Sequence, residues 1–191
     1  MYQKYQTEAI ILSARESGEA DKVFAFYTRD FGLVRARATS VRSEKSKMRY
    51  ALQSYALVNV ALVRGRSGWR AAGASAATSA IDKDVSGVSA FARMSDLVLR
   101  LVVGEERNEY LFETLYQAHK ALMRERVEAH ATIEIVAAAR VLYALGYISA
   151  EALETALFTH TAYADAHLLE AELMQDKLLS SINKALAQTH L

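Results

Sequence analysis

Near Asp82 the hydrophobic period of this chain changes, and no other feature restricts its fold as much. Before that point the apolar residues alternate in short runs: Glu8–Ala14, Val23–Tyr27, Leu33–Val41, Gln53–Arg64 and Trp69–Ala77. Period-two runs of this length, separated by turn residues, predict five β-strands. The separators "RESGEADK", "RDFG" and "RGRSG" each carry a glycine able to supply a positive φ. The third connection, "RSEKSKMRYA", is longer, polar and cationic.

Beyond Asp82 the spacing is helical. Phe91, Met94, Leu97, Val98, Leu101 and Val102 form one stripe, and Leu111, Leu115, Ala118 and Leu122 form a second. Ile135, Ala138, Leu142 and Leu145 mark a third helix ending near Gly146. The Ala- and Leu-rich tail from Glu151 to His190 predicts one or two more. Ala80–Ser89 is the natural boundary, with Ser86 or Ser89 as candidate helix caps. The expected class is α+β: residues 1–80 form a five-stranded barrel and residues 81–191 an all-α domain. A sheet of that size needs closure to manage its edges, and a small Greek-key barrel of the OB type is a common solution.

Charge follows the same division. Up to Ser75 there are 13 Lys or Arg against 6 Asp or Glu, leaving 10 against 16 beyond it, so a net charge of +1 conceals a basic half and an acidic half. Such asymmetry points the basic half toward nucleic acid or another acidic surface. The chain has no cysteine, which excludes disulfides, thiolate metal sites and cysteine nucleophiles. Neither a secretory leader nor a stretch of about 20 apolar residues is legible, so a cytoplasmic, nucleoid-associated protein is expected.

Between Leu33 and Arg70 stand nine cations and a single acid, Glu44. Arg35 and Arg37 alternate with Ala36 and Ala38, so both leave one face of the third strand. They lead into Arg42, Lys45, Lys47 and Arg49 in the loop, and Arg64, Arg66 and Arg70 follow around the next hairpin. A solvated face normally mixes both signs, whereas phosphates along a strand suit this layout, and the nine form the candidate DNA-binding set. Tyr50, Tyr55 and Trp69 are candidate stacking platforms, although aromatics in alternating strands also serve as core.

Signals for catalysis are weak. The histidines, His119, His130, His160, His167 and His190, show no i, i+4 metal spacing and are expected at surfaces or helix ends. Glu170 and Glu172 near His167 offer only a chance metal site, and Glu19 with Asp21 beside a glycine suits a turn better than acid–base chemistry. "GRSG", Gly65–Gly68, has the spacing of a KH-type loop but joins two strand-like runs, so it predicts a hairpin.

The succession from Ala9 to Arg66 resembles the N-terminal region of the RecO family, bacterial recombination mediators of DNA repair. The shared pattern is an apolar strand, a turn with Glu-x-Asp, a strand ending in Thr before a Gly, a basic Ser-containing loop, and Leu-Gln ahead of an alternating strand with a basic Gly hairpin. Glu19, Asp21, Thr28, Gly32, Arg42, Ser43, Ser46, Leu52 and Gln53 fall on those positions. The resemblance implies an OB-fold followed by a helical domain, with no turnover chemistry and no cofactor. It further implies binding to single- and double-stranded DNA, annealing of complementary strands, and engagement of the acidic C-terminal tail of single-stranded-DNA-binding protein. With RecR, such a protein helps load RecA.

Departures from the family pattern bear on the loop and on the helical half. Many members carry a four-cysteine zinc motif in the helical region, which is absent here. Ser40 stands where the family has a Gly before the basic loop, Thr39 replaces its Lys, Ser54 its Pro, and the chain is shorter toward its C-terminus. Val136, Arg140, Tyr143 and Tyr147 share one helical face and could receive an acidic tail ending in Phe. The competing expectation is core packing, with Arg140 snorkelling to water. Two other functions fit the residues: an RNA-binding OB protein of translation, and a scaffold whose helical half does the work.

Overall fold

Alternation in the first half produces a closed barrel. The computed structural model describes residues 3–78 and 85–189. Strands β1 (Lys4–Ser17), β2 (Asp21–Thr28), β3 (Gly32–Ala38), β4 (Leu57–Gly65) and β5 (Gly68–Thr78) close in the order β1-β2-β3-β5-β4. All neighbouring pairs are antiparallel except β3 with β5, which is the crossed connection of an OB-fold. Every expected run is a strand, with shifted ends. β3 stops at Ala38 and β4 starts only at Leu57, because a short helix, α1 (Met48–Ala51), lies between them. The chain then runs back to the barrel, where the Tyr55 amide donates to the Ile11 carbonyl (2.9 Å) next to the bulge in β1.

Inward residues of all five strands make one core. Ile11, Phe24, Phe26, Val34 and Leu62 are fully buried in it, each worth about 1.5–3 kcal/mol relative to an exposed side chain. One end is plugged by Tyr5, Phe31 and Trp69, whose rings meet at centroid distances of 5.4–5.7 Å. β3 shows the predicted alternation, with Ala36 and Ala38 inside and Arg35 and Arg37 outside. "GRSG" closes the β4–β5 hairpin with Gly65 opposite Gly68, whose φ is +102°.

The described residues divide into two compact units: the barrel with Val103–Glu109, and the remaining helices. The expected boundary at 80/81 falls on residues 79–84, outside the described residues. In the second unit, α2 (Val85–Leu101), α3 (Glu109–Arg124), α4 (Val127–Ala144), α5 (Ala150–Leu153), α6 (Asp165–Leu173) and α7 (Gln175–Gln188) follow in order. Among the described residues the tail therefore holds three helices where one or two were expected. Ser86 and Ser89 lie inside α2 and cap nothing; the Ser86 hydroxyl sits 3.3 Å from His130 Nδ1.

Helix α4 is the centre of this unit, packed against α2, α6 and α7. It is apolar around most of its circumference, which is why the expected stripe was misplaced. Ile133, Val136, Ala137, Val141 and Leu142 are buried, while Ile135, Ala138 and Leu145 are only half-buried. Its end is as predicted: Gly146 has a φ of +81°, and the amides of Gly146 and Tyr147 donate to the carbonyls of Tyr143 and Leu142. Two histidines depart from expectation. His119 and His130 are buried, with His119 edge-on to Phe91 at 5.4 Å.

Candidate nucleic-acid interface

Asp21 organises the basic loop. Its carboxylate accepts a hydrogen bond from the Ser40 amide (2.7 Å) and another from Arg37 Nε (2.8 Å). The Ser40 amide, followed by the Arg37 guanidinium, holds this carboxyl below the usual carboxylate range. A run of turns follows, with Ser43, Ser46 and Arg49 donating back three residues each and the Arg42 amide tied to the Ala20 carbonyl. Gln53 Nε2 closes the segment on the Arg49 carbonyl at 2.6 Å. Glu19 and Asp21 thus belong to a turn whose acid anchors a loop.

Ser40 explains one departure from the family pattern. Its φ is +52°, in the left-handed region where a Cβ is strained by about 1 kcal/mol and glycine is not. Ser40→Gly keeps the amide bond to Asp21 and should raise stability by about 0.5 kcal/mol. A urea midpoint that fell would show that the serine side chain contributes more than the strain costs.

All nine candidate cations are exposed, but they are not equivalent. Arg37 pairs with Asp21 (2.8 Å), Arg42 with Glu16 (3.1 Å) and Arg64 with Glu105 (3.4 Å). Arg35, Lys45, Lys47, Arg49 and Arg66 have no ion pair among the described residues. Arg70 is exposed on β5 beside Arg37 of β3. The structure brings Arg35, Arg37 and the loop onto one continuous stretch of the barrel, with Arg64 and Arg66 at the β4–β5 hairpin. Sequence reasoning missed Lys22, a half-buried residue of β2 that lines a cleft together with Arg42 and Arg49.

The aromatic candidates separate. Tyr50, on α1, is 76% exposed and is the ring open to stacking. Tyr55 is half-buried with a φ of +63°. Trp69 is a core residue: it packs on Tyr5 and Phe31, and its indole N–H donates to Glu105 at 2.9 Å. The reason is register, since Trp69 alternates inward between the outward residues Gly68 and Arg70.

The expected tail-binding face does not form a surface. Val136 and Arg140 are buried, Tyr143 stacks on Phe158 at 4.8 Å, and Tyr147 alone is exposed. Arg140 neither faces a partner nor snorkels. Its Nε and both terminal nitrogens donate to the carbonyls of Leu157, Thr161 and Ala162, at 2.9, 2.9 and 3.2 Å, and its guanidinium lies 4.7 Å from the centre of the Tyr163 ring. The loop carrying those carbonyls needs a donor from within the unit, and this need draws Arg140 inward. Among the described residues no three metal-ligating side chains cluster, and Glu170 instead accepts a hydrogen bond from Thr155 at 2.7 Å. No helix among them is long and apolar enough to cross a membrane.

Residues 1–70 match the family model described as recombination protein O N terminal. The matched stretch is the barrel with its basic loop and the β4–β5 hairpin. Over these residues the chain is similar to the N-terminal region of recombination protein O. A relative, the DNA repair protein RecO of Gloeothece citriformis (strain PCC 7424), is 29% identical over 117 residues. That alignment covers 60% of this chain and 41% of the relative, so the chain spans well under two thirds of the relative's length. The family positions now have structural roles: Asp21 anchors the loop, and Thr28 takes the Phe31 amide and donates to the Gly32 carbonyl, both at 3.0 Å.

Proposed function

We propose that this chain binds DNA backbones on the cationic side of its barrel and anneals complementary strands during recombinational DNA repair. The observation that carries this reading is the set of exposed cations, Arg35, Lys45, Lys47, Arg49 and Arg66, that form no ion pair among the described residues. A cation paired within the fold gains little from a phosphate, whereas an unpaired one releases the phosphate's counterions. Such a surface can neutralise two approaching backbones, which is the main electrostatic obstacle to annealing. No turnover chemistry is assigned to it. Residues 1–80 are taken as the DNA-binding domain and 81–191 as a helical domain that meets protein partners. By its resemblance to recombination protein O, those partners are RecR and the tail of single-stranded-DNA-binding protein, with RecA loaded as a consequence.

Salt dependence tests the first step. If about four phosphates are engaged, single-strand affinity should fall with a log–log slope near −3, roughly fiftyfold between 50 and 200 mM salt. The triple variant Arg35→Gln/Lys45→Gln/Lys47→Gln should reduce the slope by about 2 without altering the fold, because none of the three is tied to another element. Annealing of two complementary fluorescent oligonucleotides, bare and coated with single-stranded-DNA-binding protein, should proceed with the native chain and fail with the variant. A slope unmoved by the variant would overturn the reading; tight binding to RNA in place of DNA would turn it toward an RNA-binding module.

A further inference from the structure

The barrel carries a cleft of about 500 Å³ bounded by β1, β2, the basic loop and α1. Its wall is cationic: Lys22 from β2, Arg42 from the loop and Arg49 from α1 converge on it, and Gln53 and Ser54 form its lip. Leu52, anchored in the barrel core, seals the floor. Of the three cations, Arg42 is partly neutralised by Glu16 at 3.1 Å, while Lys22 and Arg49 have no ion pair among the described residues. Three positive groups facing one concavity repel each other unless an anion sits between them.

We propose that this cleft takes a single nucleotide unit of an unpaired DNA strand, an inference that rests on the DNA reading above and narrows it to one subsite. The phosphate lies against Lys22, Arg42 and Arg49, where guanidinium groups can grip two oxygens at once. Size favours more than a phosphate, because clefts of 300–1,000 Å³ suit ligands of nucleotide dimensions. Chemistry agrees. Gln53 spends one N–H on the Arg49 carbonyl, leaving its second N–H and its carbonyl oxygen to pair with a base edge. A base within a duplex reaches such a lip only after unstacking and unpairing, which costs a few kcal/mol. The subsite therefore selects single strands from a surface that otherwise grips any backbone.

Amide NMR of the full chain titrated with thymidine monophosphate, inorganic phosphate and an oligothymidylate tests the assignment. The monophosphate should shift Gln53, Ser54 and Arg49 first and bind more tightly than inorganic phosphate. Lys22→Gln/Arg49→Gln should abolish those shifts, weaken oligothymidylate binding about tenfold and bring single-strand affinity close to duplex affinity. Loss of tertiary structure in the double variant would be recognised from its own spectrum, and Gln53→Ala alone would then serve, with the monophosphate losing its advantage over phosphate. Oligothymidylate binding that persists while the monophosphate leaves Gln53 and Ser54 unmoved would overturn the cleft and spare the DNA reading. Absence of oligothymidylate binding by the native chain would overturn both.

Discussion

Arg140→Ala is expected to remove about 3–5 kcal/mol from the helical unit, a large share of the roughly 5–15 kcal/mol that holds a domain folded. The guanidinium is fully buried and donates to three backbone carbonyls, those of Leu157, Thr161 and Ala162. These carbonyls sit in the irregular segment between α5 and α6, which has little regular backbone bonding of its own. Alanine leaves all three acceptors without their donor; the cost is largest, about 1–3 kcal/mol, at the buried Leu157 carbonyl and smaller at the part-buried carbonyls of Thr161 and Ala162. Arg140→Lys keeps the charge but replaces a planar fork by a point donor that cannot serve three separated carbonyls, so it should cost about 2 kcal/mol.

The surroundings suit this charge. Burial pushes the hydroxyls of Tyr163 and Tyr110 up to about 12, so both phenols are neutral around the guanidinium at physiological pH. Because their folded values lie above the ordinary tyrosine value of about 10, their stabilising contribution is complete below about pH 10 and is lost as pH rises toward 12. Urea unfolding of the helical unit, followed by circular dichroism, measures all three effects. An Arg140→Ala midpoint equal to that of the native chain would mean that the 157–162 segment finds its donors elsewhere. One consequence follows for binding assays: loss of tail-peptide affinity in Arg140→Glu would report folding, not docking.

Local rules made the barrel legible. Alternation placed five strands, the GRSG spacing gave the β4–β5 hairpin, and Arg35 and Arg37 were put on the outer face of β3 because Ala36 and Ala38 had to be inside. The helix α1 was not legible: four residues are too short to show a period, and the segment was read as part of a polar loop. Helix α4 misled for the opposite reason. With apolar residues on nearly every side, its period does not choose a face, so Arg140 looked like the polar edge of a stripe when it lies at the centre of the unit. Ion pairing was also hidden, since Glu16, Asp21 and Glu105 are distant in sequence from Arg42, Arg37 and Arg64. Composition could count nine cations but could not say which were already engaged. The loop's anchoring acid had a signal available, an Asp at a family position, which spacing alone read as an ordinary turn.

Gly32→Ala should cost the barrel about 3 kcal/mol or more. Two separate costs combine at this position. Its φ is +63°, where any Cβ is strained by about 1–2 kcal/mol. A Cβ would also stand 2.1 Å from the carbonyl oxygen of Glu106 and 2.8 Å from its carbonyl carbon, and backbone cannot rotate aside as a side chain can. Gly18 separates the two costs, having a φ of +72° with nothing within 4 Å of its virtual Cβ, so Gly18→Ala should lose only about 1 kcal/mol. The excess at Gly32 is then the cost of moving the 103–109 segment off the β2–β3 turn. That displacement has its own readout. Glu105 on the same segment accepts the indole N–H of Trp69, the chain's single tryptophan, and pairs with Arg64. In Gly32→Ala the tryptophan emission should shift to the red while the Gly18→Ala spectrum stays native. Equal losses at the two glycines, with both spectra unchanged, would show that strain alone fixes Gly32 and that the 103–109 segment yields to a methyl group without cost.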